Sequence, residues 1–122
     1  GDTAEERAKT RMWTRRVDLK FCEPMANGFR FAEGLPMFEP RMRCLPDAAA
    51  GLKAVAQDGL AWLDAQLGDR PFLAGDKLTL ADVLLFAFVE FGNAVGQPLS
   101  AEYANINRWF AAMQARPSAT TA

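Results

Sequence analysis

Apolar side chains recur at three- and four-residue intervals through most of this chain, and no stretch alternates convincingly as a strand would. From about Thr3 to Phe21, Ala8, Met12, Trp13, Val17 and Phe21 sit at helical spacing among charged residues. Pro24 and Gly28 either bend this helix or end it. Glu33 to Pro46 carries Gly34, Pro36, Pro40 and Pro46, which predicts a linker with room for one helical turn. A second helix runs from near Asp47 to Leu67 on a stripe of Leu52, Val55, Ala56, Leu60, Leu63 and Leu67, and Gly68 stops it. The third, from Thr79 to about Asn93, is apolar nearly all round, which predicts a place in the middle of a bundle. The fourth spans about Glu102 to Ala115 with Ile106, Trp109, Phe110 and Met113 on one face, and Arg116-Pro117 ends it. The pattern predicts an all-α domain of four to five main helices around one buried central helix.

The sharpest local signal opens the third helix. A Gly- and Pro-rich turn, Arg70 to Lys77, leads into Leu78-Thr79-Leu80-Ala81-Asp82-Val83. Thr79 at the N-cap and Asp82 three residues on form a capping box, each side chain satisfying an orphan backbone N–H. Leu78 and Val83 are spaced for the hydrophobic staple that fixes the entry angle. Capping boxes usually carry Glu or Gln at the second position. The shorter Asp predicts a box enclosed by protein, where losing the cap costs ~1 kcal/mol or more. A hydroxyl three residues from a carboxylate also invites a catalytic reading, but this spacing at a helix start is what capping requires.

At 122 residues, half of them apolar, the chain is long enough for one domain with its own core. The formal charge of -1 supplies no bulk field for nucleic acid or a membrane surface. The longest apolar run, Leu80 to Val89, is interrupted by Asp82 and too short to span a bilayer. The polar start lacks the apolar region of a signal peptide, so the expected setting is cytoplasmic and reducing. There is no His, and Cys22 and Cys44 stand alone, so neither a metal site nor a disulfide framework is expected.

Taken together, these segments resemble the C-terminal, all-helical domain of a cytosolic glutathione S-transferase over essentially the whole chain. The resemblance rests on Pro71-Phe72-Leu73-Ala74-Gly75-Asp76 followed by Leu78-Thr79-Leu80-Ala81-Asp82. Arg7-Ala8 with Trp13 supports it, as does Tyr103 to Trp109 followed by Ala115-Arg116-Pro117, with Ala104 where the family often has Pro. It implies one helical domain, residues 1–122, and a thioredoxin-like N-terminal partner domain that no part of this sequence supplies. The natural protein would then be either longer than this chain or a lone helical domain. In the family that partner domain holds most glutathione contacts and the Tyr, Ser or Cys that stabilises the thiolate. The expectation is therefore no catalytic residue and no resident cofactor here, with glutathione as co-substrate of the whole enzyme.

The resemblance also assigns roles. The domain would wall the site for a hydrophobic electrophile and join a two-fold dimer interface. Met12, Arg15, Arg16 and Leu19 of the first helix are the candidate substrate-contacting residues. Arg7, Arg11 and Arg15 lie on one row of that helix, either as a solvated face or as a local field favouring a thiolate or anionic acceptor. Trp13, Trp62 and Trp109 read as core or interface aromatics, and both cysteines as inert buried thiols. Glu90 is expected either paired with an Arg or at the exposed end of its helix. Two other readings stay open: a module for protein–protein assembly, and a non-catalytic binder of hydrophobic ligands.

Overall fold

In the computed structural model, which describes residues 3–116, the first helix starts as its sequence directs. Thr3 is the N-cap of α1 (Ala4–Val17), and its hydroxyl accepts the Glu6 N–H at 3.0 Å. Glu5 and Glu6 in the first turn and Arg15 and Arg16 in the last complement the helix dipole. Pro24 does not end the helix. The chain passes through a π-helical turn, Asp18–Cys22, and continues as α2 (Glu23–Arg30). The cause lies in the missing N–H of Pro24, which denies the Lys20 carbonyl its usual partner four residues on. The turn widens, and the Glu23 N–H reaches back five residues to the Asp18 carbonyl.

The linker contributes a single helical turn, α3 (Leu35–Phe38), and a 3₁₀ turn, Pro46–Ala48, leads into α4 (Ala49–Leu67). Gly68 caps α4 with φ 55°. The turn before the next helix is closed by an isolated antiparallel bridge between Phe72 and Gly75, and Leu73 between them is fully buried. α5 (Leu80–Ala94) and α6 (Ala104–Gln114) complete the bundle, with no β-strand among the described residues. Pro117, expected to end the last helix, lies outside the described residues; α6 itself closes at Gln114.

α4 packs against α2, the π turn and α6, while α1 lies beside α5. The core joins Trp13, Val17, Phe21 and Met25 to Ala56, Leu60, Leu63 and Leu67, then to Leu85, Val89, Ile106 and Trp109. Two expected stripes shift. Ala8 and Met12 are exposed, because the core face of α1 follows Trp13 and Val17 and those two lie off its phase. Val55 of α4 is also exposed, and Gly59 takes a buried place on that helix.

The close approach of α4 to the π turn depends on Gly59. A Cβ there would stand 2.0 Å from the Lys20 carbonyl oxygen. At the other end, the Gln97 amide donates to the Met25 carbonyl at 2.9 Å, tying the loop after α5 to α2. α6 borrows its N-terminal cap from α4: Asp64 Oδ1 accepts the Ile106 N–H at 2.9 Å. Arg108 then donates to the Gly68 and Arg70 carbonyls at 3.0 and 2.7 Å, fastening α6 to the end of α4.

Candidate functional site

Asp82 is fully buried at the first turn of α5, and its carboxylate is held entirely by dipoles. Oδ2 accepts the Thr79 N–H at 2.9 Å and faces the Thr79 hydroxyl at 3.3 Å, while the Asp82 N–H bonds the Thr79 carbonyl at 3.1 Å. Oδ1 accepts the Leu73 N–H and the Trp109 indole N–H, each at 3.0 Å. Thr79 and Asp82 thus form the capping box, and the same carboxylate also pins the preceding turn and α6. A carboxylate with both oxygens engaged and no exposure is suited to anchoring the backbone around it. The bond to Trp109 spans 27 residues of sequence and left no local trace.

The staple is not a buried contact. Leu78 is 37% and Val83 47% exposed. Val83 lies one residue past Asp82, a step of about 100° that carries it off the core face. The Leu73–Asp82 bond and the burial of Leu73 also hold the approach to α5.

That outer face changes the picture of the central helix. Ala81, Asp82, Leu85, Val89 and Gly92 are buried, but Leu80, Val83, Ala87 and Phe91 are exposed. α5 is therefore covered on one side only within this chain. Three depressions line the seam where α1 and α2 run beside that face. The first, about 360 Å³, lies between Glu6, Lys9 and Thr10 and the loop from Ala74 to Thr79. The second, about 420 Å³, is bordered by Arg11, Thr14 and Arg15 of α1, by Asp18 of the π turn and by Leu80 and Leu84 of α5. The third, about 270 Å³, is aromatic, formed by Phe29, Arg30, Phe38, Ala87, Phe88 and Phe91.

Of the four residues expected at a substrate wall, one lines a depression. Arg15 borders the second depression, together with Arg11 of the basic row. Met12 and Leu19 are exposed and border none of the three, and the Arg16 guanidinium rests 5.0 Å from the centre of the Trp13 ring. The aromatic groove was missed, because an all-apolar α5 reads as buried on every side. The available signal was the pair Phe88 and Phe91, which stands apart from the Leu85–Val89 core stripe.

Trp13 and Trp109 are buried, and Trp62 is half-buried with its ring 6.2 Å from that of Trp13. Glu90 is exposed on α5, which leaves it solvated. Cys22 is buried in the π turn, whereas Cys44 is only half-buried, so one of the two expected buried thiols is a surface-accessible group. Burial, reinforced by the nearby Asp18 charge, pushes the Cys22 thiol from 9.0 up to about 12. At pH 8 its thiolate fraction is then about one in ten thousand. A disulfide exchange reagent at pH 8 is expected to titrate one thiol, Cys44, in the native protein and both after urea unfolding. The raised value also fixes a sign: the stability linked to Cys22 is present below pH 9 and declines as pH rises toward 12.

Among the described residues no cluster of His, Cys, Asp or Glu is placed to hold a metal ion, and no helix is long and apolar enough to cross a membrane. An all-α bundle whose central helix opens on a buried Thr–Asp box, with an unfilled apolar face beside it, defines a class. The family model "Glutathione S-transferase, C-terminal domain" matches residues 33–117, and the chain belongs to that family. It is 28% identical over 120 residues to glutathione S-transferase 2 of Saccharomyces cerevisiae, covering 97% of this chain and 51% of that protein. It superposes on the crystal structure of Gtt2 from Saccharomyces cerevisiae with a TM-score of 0.90 at 27% identity, over 99% of this chain and 58% of that one. Elongation factor 1-gamma of Schizosaccharomyces pombe is 30% identical over 119 residues, covering 90% of this chain and 26% of that protein. The chain thus spans about half of the yeast transferase and about a quarter of the elongation factor.

Proposed function

We propose that this chain is the helical half of an enzyme that lowers the pKa of the glutathione thiol and directs the thiolate onto a hydrophobic electrophile. The observation that carries the reading is the outward face of α5, where Leu80, Val83, Ala87 and Phe91 stand exposed beside the α1 seam. An apolar stripe of this length on one helix is suited to contact with further protein. The yeast transferase has as much sequence again beyond the matched part, enough for a thioredoxin-like domain to cover it.

In this arrangement the partner domain supplies the thiol-activating group, and this chain supplies one wall of the electrophile site. Arg11 and Arg15, at the edge of the second depression, add positive potential where a thiolate or an anionic acceptor approaches. Met12 and Arg16 on α1 and Leu19 in the π turn suit contact with the partner domain or with a second protomer of a two-fold dimer. The protein works in the cytoplasm, where glutathione is abundant and Cys22 and Cys44 stay reduced.

The test is calorimetric titration of the full-length protein with glutathione, followed by turnover of an aryl halide. Saturable binding with conjugation is expected for the full-length protein, and neither for residues 1–122 alone. A full-length protein that takes up no glutathione would favour the second reading, an assembly module, which the similarity to elongation factor 1-gamma supports.

A further inference from the structure

A further depression, about 300 Å³, lies where α6 meets the turn after α4. Asp69, Pro71 and Phe72 line it from the turn, and Arg108, Trp109, Ala112 and Arg116 from α6 and its end. None of these residues belongs to α1, α2 or α5, so the site is separate from the face proposed for the partner domain. The turn is held from behind. Phe72 and Gly75 exchange main-chain hydrogen bonds at 3.1 Å in both directions, and Leu73 between them is buried. Trp109 is buried too and gives its indole N–H to Asp82, so its one polar atom is spent elsewhere.

Arg108, Ala112 and Arg116 follow at steps of four, and all three are exposed. Ala115, the C-cap of α6, keeps αR geometry, and the Arg116 N–H bonds the Met113 carbonyl at 3.2 Å, so the helical path runs on to Arg116. The two arginines therefore stand about 12 Å apart along one side of the helix, and the small Ala112 leaves the space between them unfilled. Arg108 donates Nη1 and Nη2 to the Gly68 and Arg70 carbonyls at 3.0 and 2.7 Å, which fixes its guanidinium and leaves its other N–H groups uncommitted. The Arg116 guanidinium lies 5.9 Å from the centre of the Phe72 ring. Among the described residues neither arginine pairs with a carboxylate, and Asp69 lines the same depression without closing an ion pair to either. The helix dipole favours a cation at Arg116, past the C-terminal end, but gives no reason for one at Arg108 near the start.

We infer that this depression docks an extended acidic segment of a partner protein, in which an apolar side chain is flanked by carboxylates two residues before and two residues after it. In an extended chain such residues point to one side and span about 13 Å, which matches the separation of the two arginines. The apolar side chain enters the space over Ala112 against Phe72 and Pro71. The carboxylates accept from Arg108 and Arg116, and Asp69 is an acceptor for a main-chain N–H of the segment. Charge complementarity selects this occupant over a neutral peptide. Residues 117–122 carry no acidic side chain, so they do not meet the same requirement. Nucleic acid is a poorer match: Trp109 is buried, Arg116 sits over Phe72, and Asp69 repels a phosphate. The inference does not rest on thiol transfer.

Fluorescence anisotropy of three labelled peptides tests it: Glu-Ser-Leu-Ser-Glu, the uncharged Gln-Ser-Leu-Ser-Gln, and the reordered Glu-Glu-Ser-Leu-Ser. The protein is expected to bind the first saturably, about tenfold more tightly than the second and several-fold more tightly than the third. Arg116→Gln should weaken the first peptide about tenfold and leave the uncharged one within about twofold, and Arg116→Lys should recover part of the loss. Ala112→Glu, at an exposed position, should abolish binding, because a carboxylate of the chain's own then occupies both arginines. Circular dichroism of each variant checks that the fold is retained. The inference is overturned if the first peptide does not saturate, if charge or order makes no difference, if Arg116→Gln or Ala112→Glu leaves binding intact, or if an oligothymidylate displaces the peptide at equal concentration.

Discussion

Replacing Asp82 by Ala is expected to remove roughly 3–5 kcal/mol of stability, read as a fall in the urea midpoint with an unchanged slope. The estimate follows from what the carboxylate leaves behind. The Leu73 N–H, the Thr79 N–H and the Trp109 indole N–H would all lose their acceptor. Each buried unsatisfied donor costs about 1–3 kcal/mol, and partial relaxation with water entry keeps the sum below the ceiling. For a domain of this size that is a large share of the total. Asp82→Asn should lose less, since the amide keeps one acceptor oxygen for the Oδ1 pair while presenting a donor to the Thr79 N–H. Trp109→Phe should remove only the indole arm. A full-length Asp82→Ala protein that melts normally yet has lost all activity would contradict the anchoring role.

Gly59→Ala is expected to destabilise by about 2–4 kcal/mol, although alanine is the better helix former. The added Cβ would lie 2.0 Å from the Lys20 carbonyl oxygen and 2.7 Å from its carbon, both backbone atoms that no rotamer change can move aside. α4 and the π turn must separate, which opens the packing around Phe21 and Leu60. Gly51, on the same helix, is the internal control. It is exposed with nothing within 4 Å of its would-be Cβ, so Gly51→Ala should stabilise by up to ~1 kcal/mol. Opposite signs for one chemical change in one helix are measurable by denaturant melts. Equal effects would mean that Gly59 is not the contact point for the bulged turn.

Much of the fold was legible because its signals are local. Thr79 and Asp82 cap α5 through groups three residues apart, and Gly68 ends α4 through its own backbone freedom. The π turn also had a signal that went unused. Trp13, Val17, Phe21 and Met25 recur every four residues, and such spacing drifts about 40° per step around an α-helix. A wide turn takes back part of that drift, so four residues can face one core across a proline. Which face of α1 points outward was not legible. Met12 and Leu19 look like core or cleft residues by composition, and only the packing of Trp13 and Val17 into the bundle sets the helix rotation.

The candidate sites divide along the same line. The Thr79–Asp82 pair could be named from spacing, but its ties to Leu73 and Trp109 required the third dimension. Arg108 and Arg116 are eight residues apart, but the wall that faces them comes from the turn after α4, so no window of sequence contains the depression. By itself, the sequence determined the helices, their starts and stops, and the family, because capping, turn chemistry and periodicity act between near neighbours. Tertiary structure alone decided which apolar positions stay uncovered and which cations overlook them. An apolar helix face has the same periodicity whether its own bundle buries it or another surface does.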